Sequence, residues 1–368
     1  MVVAFGGLFG LLFFVMKGYE LLTNQYFSRN RTFMFLCIIG LAVLTSQIAP
    51  PVGWDLFRHY EEIDRIRELG AEYAWTKSRY VEYKGITTLF YLISLTPWNN
   101  LLVFFAVFTE LVMIEAVLWH YRQKGLNAQT GSLCFFLFWA LSNIVLAISG
   151  IRNVLAVTLT GYAIWNFHHN RRKTFVFDVI VAAFGITIHP ACSIVLLLYA
   201  ISYIPILPLA SAVAALILPI LSKYIVQYEN SNVHLLKSSA RLFLHYLESA
   251  VGVDMRVIII SAGFIIVSIV IVLYRIIRLH DKSRFTRFVF IYCLGTIGML
   301  PQKLMYNRMI YGLGFPLVML LASEMDIKND SAYQQIHFCY KLFCFVYCAG
   351  MLAYQGLELW NAVTYYFL

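Results

Sequence analysis

The stretch LCFFLFWALSNIVLAIS, residues 133–149, and the stretch NVLAVTLTGYAIWNF, residues 153–167, are two apolar runs that decide the fold. They flank Arg152, the only Asp, Glu, Lys or Arg between Lys124 and Arg171. An ionised guanidinium in hydrocarbon costs about 3 kcal/mol, so membrane proteins keep one mainly where it faces water, a partner charge or a ligand. The pattern predicts two membrane helices with a functional arginine between them.

The next apolar segment repeats this pattern with a histidine. Between Asp178 and Lys223, His189 is the only side chain that titrates near neutral pH. An imidazole with an ordinary pKa of about 6.5 accepts or donates a proton at ambient pH. His189 is therefore the second candidate for a functional group.

The composition indicates an all-α polytopic membrane protein. Hydrophobic residues make up 61% of the chain and charged residues 13%, whereas a soluble domain has about 25% charged residues. No polar stretch is long enough for a separate domain, so we expect one transmembrane domain over residues 1–368. The net charge of +9 lies mostly in short loops, which is typical of cytoplasmic loops and does not indicate nucleic-acid binding.

Twelve apolar runs have lengths that suit spanning helices or fall slightly short of them. They are residues 2–16, 33–49, 99–120, 132–149, 153–167, 174–189, 191–204, 206–226, 256–277, 287–300, 305–322 and 337–356. The segment 86–97 is too short to cross and ends at Pro97. We interpret it as a half-helix or re-entrant segment, which requires cover by protein.

The basic loops predict the orientation. They are Arg29 with Arg31, Arg122 with Lys124, Arg171 to Lys173, and Arg275 to Arg287. Twelve crossings with the N-terminus outside place all of them in the cytoplasm. Two longer polar segments, about 51–85 and 227–254, then lie outside. Each has apolar residues near helical spacing, which predicts amphipathic helices along the outer surface.

Several unusual polar residues converge on the outer face in this topology. They are Asp55, Arg58, His59, Arg152, His189, Lys303 and Arg308. Outer basic residues run against the positive-inside tendency, so something other than topology holds them there. Arginine offers a planar fork for phosphate oxygens, and a helix N-terminus adds its positive dipole. The cluster predicts a phosphate or pyrophosphate site that needs neither a metal nor a cofactor.

Structural roles stay open for each of these residues. Arg152 could extend to the interface or pair with Asp55, and Asp55 could cap the following helix. His189, before a proline, could bond a backbone carbonyl. Lys303 could anchor at the interface, and Arg308 could join two helix ends. The convergence of several basic groups is the stronger argument for function.

Motif absences narrow the chemistry. The chain has no Walker A sequence, no HExxH, no GxSxG, no zinc-type cysteine spacing and no DxD pair in the cytoplasmic loops. A nucleotide-sugar donor used inside the cell is therefore disfavoured. A lipid-linked substrate used outside fits better.

Four segments together resemble the EpsG family, relatives of the Wzy-type polysaccharide polymerases of bacteria. The first is a span followed by a basic loop and a second span that runs into PPVGWDLFRHY, residues 50–60. The others are SGIRNVLAVTLTGYAIWNF, residues 149–167, TFVFDVIVAAFGITIHPACSIVLLLY, residues 174–199, and NRMIYGLGFPLVMLL, residues 307–321. In order and spacing they cover most of residues 1–325.

The resemblance implies an architecture similar to the GT-C-type glycosyltransferases, at the bacterial cytoplasmic membrane. It implies polymerisation of undecaprenyl-pyrophosphate-linked repeat units at the outer face, with lipid-linked oligosaccharides as donor and acceptor. A flippase and a chain-length regulator of the same pathway would be partners. Arg152, Arg308, Arg58, Lys303 and His59 would bind substrate. His189 is the first choice for the general base and Asp55 the second.

Two other functions use the same residues. A transporter or flippase of an anionic lipid-linked glycan or solute would bind without chemistry, and it should show inverted repeats with paired broken helices. One candidate half-helix counts against this. An outer-glycan acyltransferase would need a histidine that a cytoplasmic acyl donor can reach, whereas the predicted topology places His189 outside.

Overall fold

A computed structural model describes residues 2–27, 30–50, 54–142, 150–170, 174–204, 255–281, 283–300, 302–323 and 331–364, with a few positions between 224 and 244. Over these ranges the chain is helical with turns, and no strand occurs among them. The helices are Val2–Thr23 (α1), Arg31–Ser46 (α2), Asp55–Thr76 (α3), Lys84–Ser94 (α4), Leu101–Gln123 (α5), Ala128–Ser142 (α6), Ile151–Asn170 (α7), Phe175–Ile188 (α8), Cys192–Ile201 (α9), Met255–Arg278 (α10), Arg284–Gly298 (α11), Lys303–Gly312 (α12), Gly314–Ala322 (α13) and Ser331–Thr364 (α14). A short 3₁₀ helix covers Val226–Tyr228.

The chain divides into two compact units, residues 1–192 with 348–368 and residues 193–347. The first unit contains α1 to α8, and the second contains α10 to α13. The expectation of one transmembrane domain over residues 1–368 stays a prediction.

Four of the described helices are long and apolar enough to cross a membrane. They are α1 from Gly6 onward, α5, α10 and α14 as far as Trp360. Shorter apolar helices are α2, α6, α8 and α9. The all-helical membrane class is thus supported, whereas the count of twelve spans and the GT-C-like architecture stay predictions.

Some predicted spans end at different residues in the structure. Helix α1 runs past the predicted end at 16 to Thr23, because an ion pair with another helix stabilises Lys17 in the helix. The predicted span 305–322 is divided at Leu313 into α12 and α13. Most of the predicted span 206–226 and most of the outer segment 227–254 lie outside the described residues.

The amphipathic helix expected in the first outer segment is α3. It is longer than the run of helical spacing at residues 57–69 that predicts it. It continues across Gly70, whose φ of 81° and ψ of −171° are non-helical. A positive φ of this kind costs glycine little, because glycine has no Cβ. Helix α3 therefore has two arms that meet at Gly70.

The buried face of α3 differs from the line of Phe57, Tyr60, Ile63, Ile66 and Leu69 that its sequence spacing suggests. Ile63 and Ile66 are buried as expected, but the Leu69 side chain is 59% exposed. The other buried residues of α3 are Leu56, His59, Glu62 and Ala74. The helix therefore turns a histidine and a glutamate, and not only apolar groups, toward the protein.

Helix α4 covers most of the segment expected to be a half-helix. It has 11 residues, which at about 1.5 Å per residue is far shorter than a bilayer core of about 30 Å. Its residues Ile86, Phe90 and Ile93 are buried. Arg67 of α3 also donates to the carbonyl oxygens of Ser94 at 3.2 Å and Thr96 at 3.0 Å. Protein thus covers one face of α4, whereas Leu92 on the same helix is 55% exposed. The position of this segment in the membrane stays a prediction.

Contacts in the first unit show that α7 runs parallel to α5 and antiparallel to α8. Near the last turn of α7, the Asn166 amide donates to the Asp178 carboxylate of α8 at 2.7 Å. At the same end, the Tyr121 hydroxyl of α5 lies 3.4 Å from Nε2 of His169. The first turn of α7, with Arg152, is therefore at the opposite end of these helices from the basic C-terminal turn of α5.

Candidate functional site

Arg152 lies in the first turn of α7 against two tyrosine rings. Its Cζ atom is 4.4 Å from the ring centroid of Tyr80 and 5.6 Å from that of Tyr83. A guanidinium within about 6 Å of an aromatic centroid is attracted by the ring's electron-rich face. We call Arg152, Tyr80 and Tyr83 the tyrosine–arginine site.

Arg152 does not use its charge in an ion pair with another described residue, and Asp55 pairs with Arg58 instead. The alternative in which Arg152 pairs with Asp55 is therefore wrong. Arg152 is half-buried, and burial strengthens the attraction between a cation and an anion. These features leave the guanidinium available to an anionic ligand.

The turn between α3 and α4 fixes the position of Tyr80. The Tyr80 amide donates to the Ser78 hydroxyl at 3.2 Å, and the Thr87 hydroxyl of α4 donates to the Tyr80 carbonyl oxygen at 2.6 Å. The Tyr83 amide donates to the same carbonyl oxygen at 2.8 Å. The two rings beneath Arg152 therefore belong to one hydrogen-bonded turn anchored on α4.

His59 lies behind the tyrosine–arginine site. Its Nδ1 atom is 2.9 Å from the Tyr80 hydroxyl oxygen, and its ring centroid is 5.4 Å from that of Phe90. The residue is 1% exposed. His59 therefore reaches Arg152 only through Tyr80.

Burial, together with the nearby charges of Arg152, Arg58 and Arg79, holds the pKa of His59 well below its usual range. His59 is then neutral at pH 7, and it meets Tyr80 as an uncharged hydrogen-bonding partner. Burial also raises the pKa of the Tyr80 and Tyr83 hydroxyls, against the effect of Arg152. Both phenols keep their protons and can donate hydrogen bonds.

Asp55 and Arg58 lie in the first turn of α3 and form an ion pair. Trp54 is the N-cap residue, and Asp55 is inside the helix, so the alternative that Asp55 is the N-cap is wrong. The charge of Asp55 acts to raise the pKa of the Tyr80 hydroxyl, and the charge of Arg58 acts to lower it. This pair therefore lies within electrostatic reach of the tyrosine–arginine site.

His189 ends α8 at the same end of the unit. An added Cβ on Gly85 would clash with the Thr187 hydroxyl and lie 3.1 Å from the Ile188 amide nitrogen. The last turn of α8 therefore packs directly on the start of α4, two residues beyond Tyr83. The structure brings His189 toward the Arg152 end of the first unit.

The imidazole of His189 is 5% exposed, and its Nδ1 atom accepts a hydrogen bond from the Ala191 amide at 3.2 Å. A nitrogen that accepts from an amide carries no proton itself. A neutral His189 in this geometry therefore carries its proton on Nε2 and presents a donor there.

Two further expected residues belong to the second unit. Arg308 is half-buried on α12. Lys303 is the first residue of α12, and its side chain lies outside the described part of the structure. Their predicted role in substrate binding stays a prediction.

The sequence interpretation missed the aromatic part of the site. Tyr80 and Tyr83 lie in RYVEYKG, residues 79–85, where aromatic and charged residues alternate. Glu62 was also not singled out; it is buried, and its carboxylate accepts the Arg79 amide hydrogen at 3.0 Å. The available signal for this part of the site was a pair of tyrosines among charged residues, outside any apolar run.

A second charge cluster occupies the other end of the first unit. Lys17 is fully buried and pairs with Glu115, and its Nζ atom lies 3.8 Å from the Glu20 carboxylate. Arg122 reaches Glu20 at 3.3 Å and Glu115 at 3.8 Å. The Ser132 hydroxyl donates to Glu20 at 2.9 Å. Two cations and two carboxylates thus compensate each other, and we call Lys17, Glu20, Glu115 and Arg122 the buried ion network.

Within the described ranges, no group of three or more His, Cys, Asp or Glu side chains is arranged to hold a metal ion.

A sequence model of the EpsG family matches residues 31–367. No curated protein matches the chain. No solved structure matches it either.

Proposed function

Because this chain belongs to the EpsG family, a family of Wzy-type polymerase-like proteins, we propose that it polymerises lipid-linked oligosaccharide repeat units. The donor glycan is held through a pyrophosphate on undecaprenol, and the acceptor is the sugar of another lipid-linked unit. We propose that the reaction occurs at the outer face of the bacterial cytoplasmic membrane. Family membership supports the class of reaction, and the tyrosine–arginine site offers a contact for the pyrophosphate.

Arg152 is the proposed contact to the donor pyrophosphate. In the reaction, an acceptor hydroxyl oxygen forms a bond to the anomeric carbon while the bond from that carbon to the pyrophosphate oxygen breaks. Negative charge grows on the leaving pyrophosphate, and a prepositioned cation stabilises it. Arg152 suits this role because it is half-buried, has no carboxylate partner among the described residues and is held on Tyr80 at 4.4 Å.

Arg58 and His59 support this contact in different ways. Arg58 adds positive charge at the edge of the site, although Asp55 partly compensates it. His59 is neutral and bonds the Tyr80 hydroxyl, so we propose that it positions Tyr80 beneath Arg152. Arg308 and Lys303 stay proposed contacts from the second unit.

The acceptor proton needs a base, and Asp55 and His189 are the candidates. His189 would first have to release the Ala191 amide from Nδ1 or exchange its tautomer, because its proton is on Nε2 in the observed geometry. Asp55 already presents an ion-paired carboxylate near the site. We therefore propose Asp55 as the base and His189 as a hydrogen-bond donor to the substrate, reversing the order expected from the sequence.

The test uses purified protein, lipid-linked repeat units and detergent. Longer lipid-linked products are expected from the unmodified protein, and Arg152→Ala should form them about 10²–10³-fold more slowly. Arg65→Ala is the matched control, because Arg65 is an exposed arginine on α3. Unchanged units that nevertheless cross a vesicle bilayer would favour a transporter. Extension at the unmodified rate in Arg152→Ala would support the activity and reject this site.

A further inference from the structure

A groove runs between α2 and α5 in the first unit, with a volume of about 290 Å³. Each helix lines it with residues at helical spacing. Helix α2 contributes Arg31, Met34, Phe35 and Ile38, and helix α5 contributes Val112, Glu115, Ala116 and Trp119. Residues at i, i+3, i+4 and i+7 share one face of a helix. Two such faces side by side make a largely apolar groove, just below the usual size of a ligand pocket of about 300–1,000 Å³.

One end of the groove is polar. The Cζ atom of Arg31 lies 4.3 Å from the ring centroid of Trp119. Arg31 is exposed and opens α2, next to the loop that connects α1 and α2. Tryptophan and arginine together at a helix end are typical of the level of lipid headgroups. The rest of the groove, toward Ile38 and Val112, is apolar.

Glu115 is the one acidic residue of the lining, and its charge is compensated within the protein. It belongs to the buried ion network, where it pairs with Lys17 and lies 3.8 Å from Arg122. Arg31 is the one basic residue of the lining. An anion beside Arg31 does not meet an uncompensated carboxylate.

We propose that this groove binds an anionic membrane phospholipid, with one acyl chain along the apolar lining and the phosphate against Arg31. The apolar lining suits part of an acyl chain, and the Arg31 guanidinium suits the headgroup phosphate. Arginine binds phosphate oxygens through two parallel N–H groups. In a zwitterionic headgroup, the cation of the headgroup itself partly compensates the phosphate charge.

The groove is separate from the proposed catalytic region. Arg31 and Trp119 lie at the basic C-terminal end of α5, whereas Arg152 lies at the N-terminal end of α7, which runs parallel to α5. A lipid in the groove and a pyrophosphate at Arg152 therefore occupy different ends of the first unit. Lipid binding in this groove does not depend on the proposed polymerase activity.

Native mass spectrometry of the full, delipidated chain in detergent tests the proposal. Phosphatidylglycerol and phosphatidylcholine with identical acyl chains are added separately. We expect retention of phosphatidylglycerol to exceed that of phosphatidylcholine by about tenfold, the effect of one charge-assisted contact. Arg31→Gln should remove this preference, whereas Arg278→Gln, an exposed arginine at the end of α10, should keep it.

A second variant tests the acyl chain separately from the headgroup. Ala116 is exposed in the middle of the groove, so Ala116→Phe should fill it and reduce the binding of both lipids. Should this variant fail to fold, the Arg31→Gln comparison still decides the matter. Equal retention of the two lipids, or a preference that persists in Arg31→Gln, would reject the proposal.

Two competitors identify the occupant. Inorganic phosphate carries the charge without a chain, and we expect it not to displace phosphatidylglycerol. Displacement by phosphate would show a simple anion site. If an isoprenyl phosphate binds here more tightly than phosphatidylglycerol, the groove binds the lipid carrier, and the proposal of a phospholipid occupant is rejected.

Discussion

The hydroxyl oxygen of Tyr80 lies 2.9 Å from Nδ1 of His59. The ring of the same tyrosine supports Arg152 at 4.4 Å. Tyr80 therefore uses its two chemical ends for two partners, a neutral imidazole and a cation. Because His59 fixes the hydroxyl, the ring has little freedom to leave Arg152.

Tyr80→Phe separates these two contacts. The phenylalanine keeps a ring beneath Arg152 but leaves Nδ1 of the buried His59 without its hydroxyl partner. An unmade buried hydrogen bond costs about 1–3 kcal/mol. We expect a lower melting temperature with most substrate affinity retained, whereas Tyr80→Leu should weaken both. Thermal unfolding and product formation measure the two effects; an unchanged melting temperature in Tyr80→Phe would argue against the bond.

Arg152→Lys tests geometry apart from charge. Lysine keeps the positive charge but loses the planar fork that matches phosphate oxygens. We expect Arg152→Ala to lower turnover about 10²–10³-fold, as the loss of one group that stabilises developing charge does elsewhere. The turnover of Arg152→Lys should lie between that of the unmodified protein and that of Arg152→Ala. Single-turnover assays measure the rates, and full activity in both variants would remove Arg152 from the mechanism.

The low pKa of His59 predicts how stability depends on pH. Burial first, and then Arg152, Arg58 and Arg79, disfavour the charged imidazole in the folded protein. An unfolded histidine takes up a proton below about pH 6.5, so the stability that His59 contributes above this pH is lost on acidification. We expect the melting temperature to fall between about pH 7 and pH 5.

His59→Asn should flatten this pH dependence because asparagine does not titrate. The matched control is His280→Asn. His280 is exposed in a loop with a φ of 50°, a conformation that asparagine tolerates. Identical pH slopes for the unmodified protein and His59→Asn would contradict the assignment.

Gly85→Ala tests the packing that brings α8 to α4. The new Cβ would meet the Thr187 hydroxyl and lie 3.0 Å from the Thr187 carbonyl carbon, and crowding of this kind costs about 1–3 kcal/mol. We expect a lower melting temperature and reduced activity, since His189 follows the displaced turn. Gly350→Ala on α14 is the control, because nothing lies within 4 Å of its added Cβ. Equal behaviour of the two variants would contradict the close packing.

Lys17→Met should leave Glu115 without its main partner in a buried position. Removing one member of a buried ion pair costs about 3–5 kcal/mol, whereas replacing both members by uncharged groups is often neutral. The double variant Lys17→Met with Glu115→Gln should therefore recover much of the lost thermal stability, because Arg122 still pairs with Glu20. Additive effects of the two substitutions would show that the residues do not interact.

In the part of the chain that the structure describes, most continuous apolar runs coincide with helices, as the sequence predicts. It also predicts that Arg152 and the basic turn with Arg122 lie at opposite ends, which the contacts of α5 and α7 support within the first unit. The reason is that alternating spans and charged loops are encoded locally. Which membrane face each end meets stays a prediction.

The parts that sequence reading missed depend on partners far apart in the chain. Lys17 marks an early end of α1 in the sequence, but Glu115 of α5 neutralises it in the fold. Tyr80 and Tyr83 lie in a polar turn without periodicity, and only the start of α7 gives them a cation to carry. Long-range pairing of this kind leaves no local signal in a single sequence.

The orientation of Arg152 has a consequence for recognition. The Cζ atom of Arg152 lies over the Tyr80 ring at 4.4 Å, so the ring blocks the approach of a ligand from that side. The N–H groups that point away from the ring are donors only, and they favour phosphate oxygens over the flat apolar side of a sugar. Arg152 would then recognise the diphosphate common to every donor and be indifferent to the identity of the sugar. Discrimination between glycans would have to come from other parts of the chain.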